Sequence, residues 1–399
     1  MTRLYASAGA VVVNCATDAR LLLLDQIRVN GERQTVAPKG RLEPGEAPLA
    51  AALREVTEEA GLTGLRYAGY LGREQYQFID RDSTPAAKTV DWFLLTTDDA
   101  TTAAQAGEGF TQARWLTPTD AAAAASHPGF VVFLDRAASI AAWRGDGPLP
   151  FSIALDRAVR EIATAAAPLL APHPAAGLAV CGSAARGDFV DGWSDLDLIA
   201  YGLPRFDDTT GTLAALVREA AVHLRVPVSL HIAGSDWRRV PGAGPLYDMK
   251  LQTALRRVGA DVAVIAGTGP APQPRPVQRD DTIAAMAVLQ SFAAHRTAQP
   301  ANDTSDRRDR ARRLLSVACS AARLVALTLD SQADLRLPAL VEVLGQRHQG
   351  APIQQLLRDY DTFRRAGATD LETAEHLAGY AANAIDDLVR RLPTPTAPR

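Results

Sequence analysis

The chain has 399 residues, too many for one ordinary core, so two or three domains are expected. Hydrophobic residues make up 47% and charged residues 22%, the balance of a soluble globular protein. The formal net charge of -3 excludes an overall basic field that would gather nucleic acid or anionic membrane, so any polyanion must be held by a local site.

Residues 4–13 and 20–25 read as paired strands around a polar turn. Residues 47–60 have helical periodicity and stop at Gly61, a suitable C-cap. Strands are expected at 65–79, 88–96 and 112–116, then helices at 119–126 and near 130–143. A linker is expected over 145–150. The next block alternates helix 154–170, strand 177–181, a Gly-rich turn, strand 195–201, helix 209–224 and strand 226–232, an α/β pattern. Four prolines within 267–276 break helix and strand and set a second boundary. Helices alone follow, at about 280–297, 306–329, 337–348, 352–366 and 370–392, as in a helical bundle. The expected division is therefore 1–147, 148–275 and 276–392, with a disordered tail at 393–399.

Cys15, Cys181 and Cys319 are too scattered for a disulfide framework or a zinc cluster and fit a reducing cytoplasm. No secretory h-region and no apolar stretch of membrane-spanning length occurs, so no membrane association is expected. The seven histidines show no metal-ligand spacing.

Chemistry concentrates first in residues 40–62, GRLEPGEAPLAAALREVTEEAGL. Glu55, Glu58 and Glu59 fall at i, i+3 and i+4, one face of one helix. Three like charges so placed repel unless a cation neutralises them, and hard oxygen donors at this density suit Mg²⁺ or Mn²⁺. Such an ion polarises a diphosphate and lowers the pKa of an attacking water. Arg54 can lock the carboxylates by forked hydrogen bonds, and Gly40 lets the backbone pass close to the metal.

The segment matches G-x5-E-x7-R-E-U-x-E-E-x-G-U, U being aliphatic, at every position: Gly40, Glu46, Arg54, Glu55, Val56, Glu58, Glu59, Gly61 and Leu62. It is thereby identified as resembling the Nudix hydrolase superfamily over about residues 3–143. The resemblance implies an α/β/α sandwich, a loop–helix–loop box, and Glu55, Glu58 and Glu59 as metal ligands. It implies Glu55 or a later glutamate as general base, and Glu108 stands near the usual place of that later glutamate. Pro38–Gly40 before the box and Lys88–Phe93 after it resemble Nudix enzymes that cleave diadenosine polyphosphates and related phosphate-rich substrates. Lys39 and Lys88, two of only three lysines, are either phosphate contacts or surface residues. Tyr76 and Phe78 either stack on a base or belong to the core.

The second constellation is Gly182-Ser183, Arg186-Gly187 and Ser194-Asp195-Leu196-Asp197. Gly-Ser between a strand and a helix start offers backbone N–H groups and a hydroxyl to a triphosphate. Asp195 and Asp197, two apart on an expected strand, face one side and can hold two Mg²⁺ ions. Arg186 is placed to orient an aspartate or a phosphate. This set resembles the polymerase-β-like nucleotidyltransferases, and the helical half after it resembles the layout of antibiotic nucleotidyltransferases. That family usually carries a third carboxylate on a later strand, and here Ser229 or His231 stands in its place, with Asp236 or Asp248 as possible substitutes. Lys250 can reach a phosphate or lie at the surface, and the basic run Arg307–Arg313 reads as a solvated helix face.

The leading expectation is a bifunctional enzyme. Its Mg²⁺- or Mn²⁺-dependent hydrolase would cleave a nucleoside diphosphate derivative or dinucleoside polyphosphate. Its nucleotidyltransferase would move NMP from an NTP to a small-molecule or protein hydroxyl; nucleic acid is not an expected partner. The alternative is a catalytically degenerate nucleotidyltransferase fold that senses nucleotide and regulates the hydrolase, and Ser229 and His231 favour it. A sensing rather than hydrolytic first domain is disfavoured by the intact box.

Overall fold

A computed structural model describes residues 2–16, 18–80, 82–102, 104, 109–145, 150–204, 208–234, 253–254, 257–267, 279–347 and 351–392. The linker residues 146–149, the boundary 268–278, the tail 393–399 and Glu108, Asp236, Asp248 and Lys250 lie outside them. The chain forms two compact units, residues 1–241 with 257–273, and residues 242–256 with 274–399.

In the first unit, strand β1 (Arg3–Asn14) pairs with β2 (Arg20–Ile27) as expected. Short strands β3 (Arg33–Val36) and β4 (Lys39–Arg41) follow, then helix α1 (Pro48–Ala60). Pro48 opens α1 with φ preset for a helix, and Gly61 closes it in the left-handed region at φ 69°. Strands β5 (Arg66–Ile79), β6 (Pro85–Thr97) and β7 (Phe110–Leu116) precede helices α2 (Pro118–Ala124) and α3 (Val131–Gly145). The sheet order is β3-β2-β1-β6-β5, with β4 on β1 and β7 on β2. Strands β1 and β6 run parallel from Arg3↔Ala86 to Asn14↔Thr97.

The sheet is covered on both faces, and β1 shows how alternation builds the two layers. Ala8, Ala10 and Val12 pack on one side with Leu49, Val56 and Ala60 of α1. Val11 and Val13 pack on the other with Leu134, Ala137 and Ile140 of α3.

The same unit continues with α4 (Ile153–Leu170), β8 (Gly177–Cys181), the short α5 (Gly182–Arg186), β9 (Leu196–Leu203), α6 (Asp208–Leu224), β10 (Val228–Gly234) and β11 (Ala263–Gly267). Strand order is β10-β9-β8-β11; only β9 and β10 run parallel. Leu155, Val159 and Ile162 of α4 join the core cluster that contains α1, so the two sheets share a core.

Strand β5 ends the first sheet, and an open edge would leave backbone groups unpaired. Here the second layer covers it. Asp156 accepts from Tyr67 N at 2.7 Å, Arg160 donates to Leu65 O at 3.0 Å, and Tyr67 OH donates to Ala184 O at 3.2 Å. Gly69 lies so near Gly187 that a methyl there would sit 3.0 Å from its Cα. Arg144, buried, donates to Gly187 O and Phe189 O.

The second unit is helical among its described residues: α7 (Arg279–Ala298), α8 (Thr304–Leu329), α9 (Leu337–Arg347), α10 (Pro352–Arg365) and α11 (Leu371–Arg391). Gln290 Nε2 donates to Asp386 Oδ1 at 2.7 Å, tying α7 to α11. The basic run on α8 is largely paired: Arg307 and Arg310 with Glu375, Arg312 and Arg313 with Asp309. Among the described residues, no helix is long and apolar enough to cross a membrane.

Candidate active site

The box folds around a contact between β4 and α1. Gly40 pairs with Ala8 of β1, and a methyl at Gly40 would lie 1.9 Å from Glu55 Oε1. The carboxylate thus occupies the space of a side chain, and only glycine leaves that space. Glu59 Oε2 accepts from Lys39 N at 3.0 Å, fixing the other end of the helix turn to the same strand. Glu55 and Glu59 are buried, at 7% and 4% exposure, while the Glu58 side chain is 51% exposed.

Arg54 uses all five of its N–H groups here. Nε and Nη2 form a fork to Glu46 at 2.9 and 2.8 Å. Nη1 donates to Glu55 at 2.8 Å and to Glu58 at 2.9 Å, and Nη2 also donates to Arg41 O at 3.0 Å. These bonds hold the Glu46 carboxyl below the usual carboxylate range and raise the guanidinium further. Arg54 pairs with Glu46, Glu55 and Glu58, and the Lys39 and Lys88 ammoniums are attracted by Glu55 among these carboxylates.

Among the described residues, no three His, Cys, Asp or Glu side chains converge as a ready-made cation cage, and Arg54 draws Glu55 and Glu58 to itself. The donor chemistry nevertheless fits a hard divalent cation: excess carboxylate charge on one helical turn, two members buried, and a glycine cradle against one of them. Glu55, Glu58 and Glu59 are the residues that could hold it.

Beside this turn opens a cleft of about 1200 Å³. Its floor is a sheet face read in rungs. Tyr5, Lys88 and Tyr76 stand level on β1, β6 and β5. Gly9, Trp92 and Gly72 make a further rung, with Lys39 opposite Gly9. Arg28 and Arg41 also line the cleft, Arg41 lying 4.1 Å above the Tyr5 ring. Lys39 and Lys88 are therefore cleft residues. Tyr76 and Phe78 line the cleft too, Tyr76 at 38% exposure, rather than filling the core.

Glu74, which sequence reasoning missed, lies in the same cleft and accepts from Trp92 Nε1 at 3.2 Å. The signal was the alternation Glu74, Tyr76, Phe78 along β5, which puts all three on one face.

Burial pushes the Lys88 ammonium down to about 8, with Lys39 and Arg41 adding to the effect. Burial likewise lowers Lys39, against the opposing pull of Glu59. Lys88 is thus mostly charged below about pH 8 and increasingly neutral above it. A polyphosphate bound beside it would hold the proton on, so the transition belongs to the free protein. For a phosphate-rich substrate kcat/KM should fall as pH rises through about 8 while kcat changes little, and Lys88→Arg should remove that limb. A kcat/KM profile that stays flat from pH 7 to about 9 would contradict a phosphate contact by a Lys88 ammonium lowered to about 8.

The second constellation sits where β8, α5 and β9 meet. Gly182 has φ 69°, and a methyl on it would lie 2.5 Å from Asp197 Oδ2. Asp197 is level with Cys181 of β8 and Ser229 of β10. Asp195 precedes β9 instead of lying within it, so the expected same-strand placement holds for Asp197 alone. Ser183 is the second residue of α5, and its carbonyl accepts from Asp188 N at 3.1 Å. Arg186 pairs with Asp188 at 3.5 Å. Ser194 Oγ accepts from Val190 N at 3.1 Å, and Ser229 Oγ lies 3.2 Å from His231 Nε2.

Comparison with known proteins covers the first part of the chain. Residues 4–135 match the family described as NUDIX domain, and this part of the chain is a Nudix domain. Among solved structures it is similar to a C. elegans Ap4A hydrolase binary complex, at 22% identity over 35% of this chain and 98% of that one, with a TM-score of 0.28. It is also similar to a MutT protein from Methanosarcina mazei Go1, at 19% identity over 34% and 93%, TM-score 0.27. An E. coli dihydroneopterin triphosphate pyrophosphohydrolase matches at 20% identity over 34% and 97%, TM-score 0.27.

Proposed function

We propose that residues 1–147 hydrolyse a P–O–P bond of a nucleoside diphosphate derivative or dinucleoside polyphosphate. The observation that carries this reading is the Glu55 carboxylate seated on Gly40, with Glu59 tied to Lys39 N, at the margin of a cationic and aromatic cleft. Glu55, Glu58 and Glu59 would hold Mg²⁺ or Mn²⁺, which supplies charge neutralisation of the diphosphate and a more acidic water. Lys39 and Lys88 orient the phosphate chain, and Arg54 keeps the carboxylates in register. Glu108 stays a candidate general base, as an alternative to Glu55. In the reaction, water oxygen bonds to phosphorus, the bridging P–O bond breaks, and the water proton leaves to a carboxylate base.

For residues 148–275 we propose a polymerase-β-like nucleotidyltransferase fold, followed by a helical domain over 276–392. The supporting observation is Asp197 packed on the positive-φ Gly182 at the strand-to-helix turn. Backbone N–H groups of the Gly182-Ser183 turn would take a triphosphate, with Asp195 and Asp197 holding Mg²⁺ and the acceptor hydroxyl belonging to a small molecule or a protein. Ser229 beside Asp197, where that family usually has a third carboxylate, favours a second reading in which the domain senses nucleotide without transferring it.

Both readings are tested by a panel of NTPs with Mg²⁺ and hydroxyl acceptors, with wild type, Asp195→Asn and Asp197→Asn read by mass spectrometry. Transfer of an NMP unit with pyrophosphate release, lost in both variants by about 10²-fold or more, supports the transferase. Nucleotide binding that the variants alter, with no turnover of any NTP, supports the sensor. No binding and no turnover would end both readings.

A further inference from the structure

We propose that Glu74 selects the nucleobase of the substrate, favouring a guanine-type edge with adjacent N–H donors over adenine. The inference rests on the reading of this cleft as a nucleotide site. Glu74 is two residues from Tyr76 on one face of β5, about 7 Å along the strand. A base stacked on the Tyr76 ring, with its phosphates toward Lys88 in the same rung, would present its edge to that carboxylate.

The carboxylate is held in a fixed pose. Its Oε2 accepts from Trp92 Nε1 at 3.2 Å, and the indole itself is buried at 2% exposure. Its Oε1 borders Gly129, where even a methyl group would come only to 3.4 Å. Among the described residues no arginine, lysine or histidine forms an ion pair with Glu74, although Arg28, Lys39, Arg41 and Lys88 line the same cleft. A half-buried carboxylate with one neutral donor retains acceptor capacity, and leaving that capacity unmet is costly once a ligand excludes water.

The chemistry then discriminates between bases. Ionised carboxylate oxygens only accept. Guanine offers N1–H and the N2 amine side by side, so both oxygens are satisfied in a forked pair. Adenine offers its N6 amine beside N1, an acceptor, which sets a lone pair against a carboxylate oxygen. A well-placed bidentate base contact corresponds to a preference of about tenfold to a hundredfold.

The test is equilibrium binding of GDP and ADP, by calorimetry, to the full chain and to Glu74→Gln. Wild type should bind GDP tighter by about tenfold or more, and Glu74→Gln should bring the ratio to within about threefold by weakening GDP. Trp92→Phe, which keeps a ring but removes the orienting N–H, should reduce the ratio partially and serves if the first variant does not fold. Equal binding of GDP and ADP by wild type, tighter ADP binding, or an unchanged ratio in Glu74→Gln overturns the proposal. Cleavage of diguanosine tetraphosphate by wild type is scored separately: its absence counts against hydrolysis, while the binding ratio still decides the base preference.

Discussion

Glu59→Gln should lower kcat for P–O–P hydrolysis by about 10²- to 10³-fold, the scale of removing one charge-stabilising group from an active site. The substitution keeps shape and keeps an oxygen for the Lys39 N–H, now at 3.0 Å from Glu59 Oε2. What it removes is negative charge at a buried position, 4% exposed, on the face shared with Glu55 and Glu58. Stability in metal-free buffer should therefore not fall, because one of several like charges has gone. Steady-state kinetics together with a thermal melt check both halves. A variant that keeps wild-type kcat is inconsistent with Glu59 as a metal-holding carboxylate, and one that melts well below wild type without metal contradicts the like-charge account of its stability.

Arg54→Ala carries the second large effect, and it is on stability. Five hydrogen bonds leave with one side chain, and Glu46, Glu55 and Glu58 lose their shared partner. Glu46 and Glu55 are mostly buried, so the expected loss is about 2–4 kcal/mol in metal-free buffer. Saturating Mg²⁺ should recover part of it by supplying the missing positive charge. Arg54→Lys should fall between, since an ammonium has three donors and cannot fork to Glu46 while reaching Glu55, Glu58 and Arg41 O. The pH dependence has a definite sign. Glu46 is held below its ordinary range in the folded protein, so its contribution is present above that range and lost as pH falls through it. Arg54→Ala should flatten that acid limb. Urea melts with and without Mg²⁺, at neutral and acid pH, read all of this, and a variant as stable as wild type without metal would contradict the lattice.

What was legible in the sequence was what local chemistry dictates. The spacing of Glu55, Glu58 and Glu59 fixed a shared helix face, and Gly61 marked the helix end, where the backbone does turn left-handed. The long strands and the helices of the second unit followed from periodicity. Less legible were features that exist only across the fold. Strand β4 has three residues, too short for any period, yet it carries Gly40 onto Glu55. Strand β11 is an ordinary apolar run whose role depends on pairing with β8. The packing of Gly69 against Gly187, and of Arg144 on the carbonyls after α5, joins residues more than forty apart in sequence. Asp195 was expected inside a strand because alternate aspartates suggest one, but β9 begins a residue later. Glu74 was overlooked because a lone glutamate in a polar stretch of strand carries no motif; only the rungs of the sheet set it beside Trp92 and Tyr76.

The most direct measurement is hydrolysis of a dinucleoside polyphosphate in ¹⁸O-labelled water with Mg²⁺, the products weighed by mass spectrometry for wild type and Glu59→Gln. Hydrolysis at the box predicts two phosphate-bearing products, one ¹⁸O in one of them, and loss of both products in the variant. Intact substrate with wild type, or equal labelled product from Glu59→Gln, would contradict a hydrolytic site on Glu55, Glu58 and Glu59.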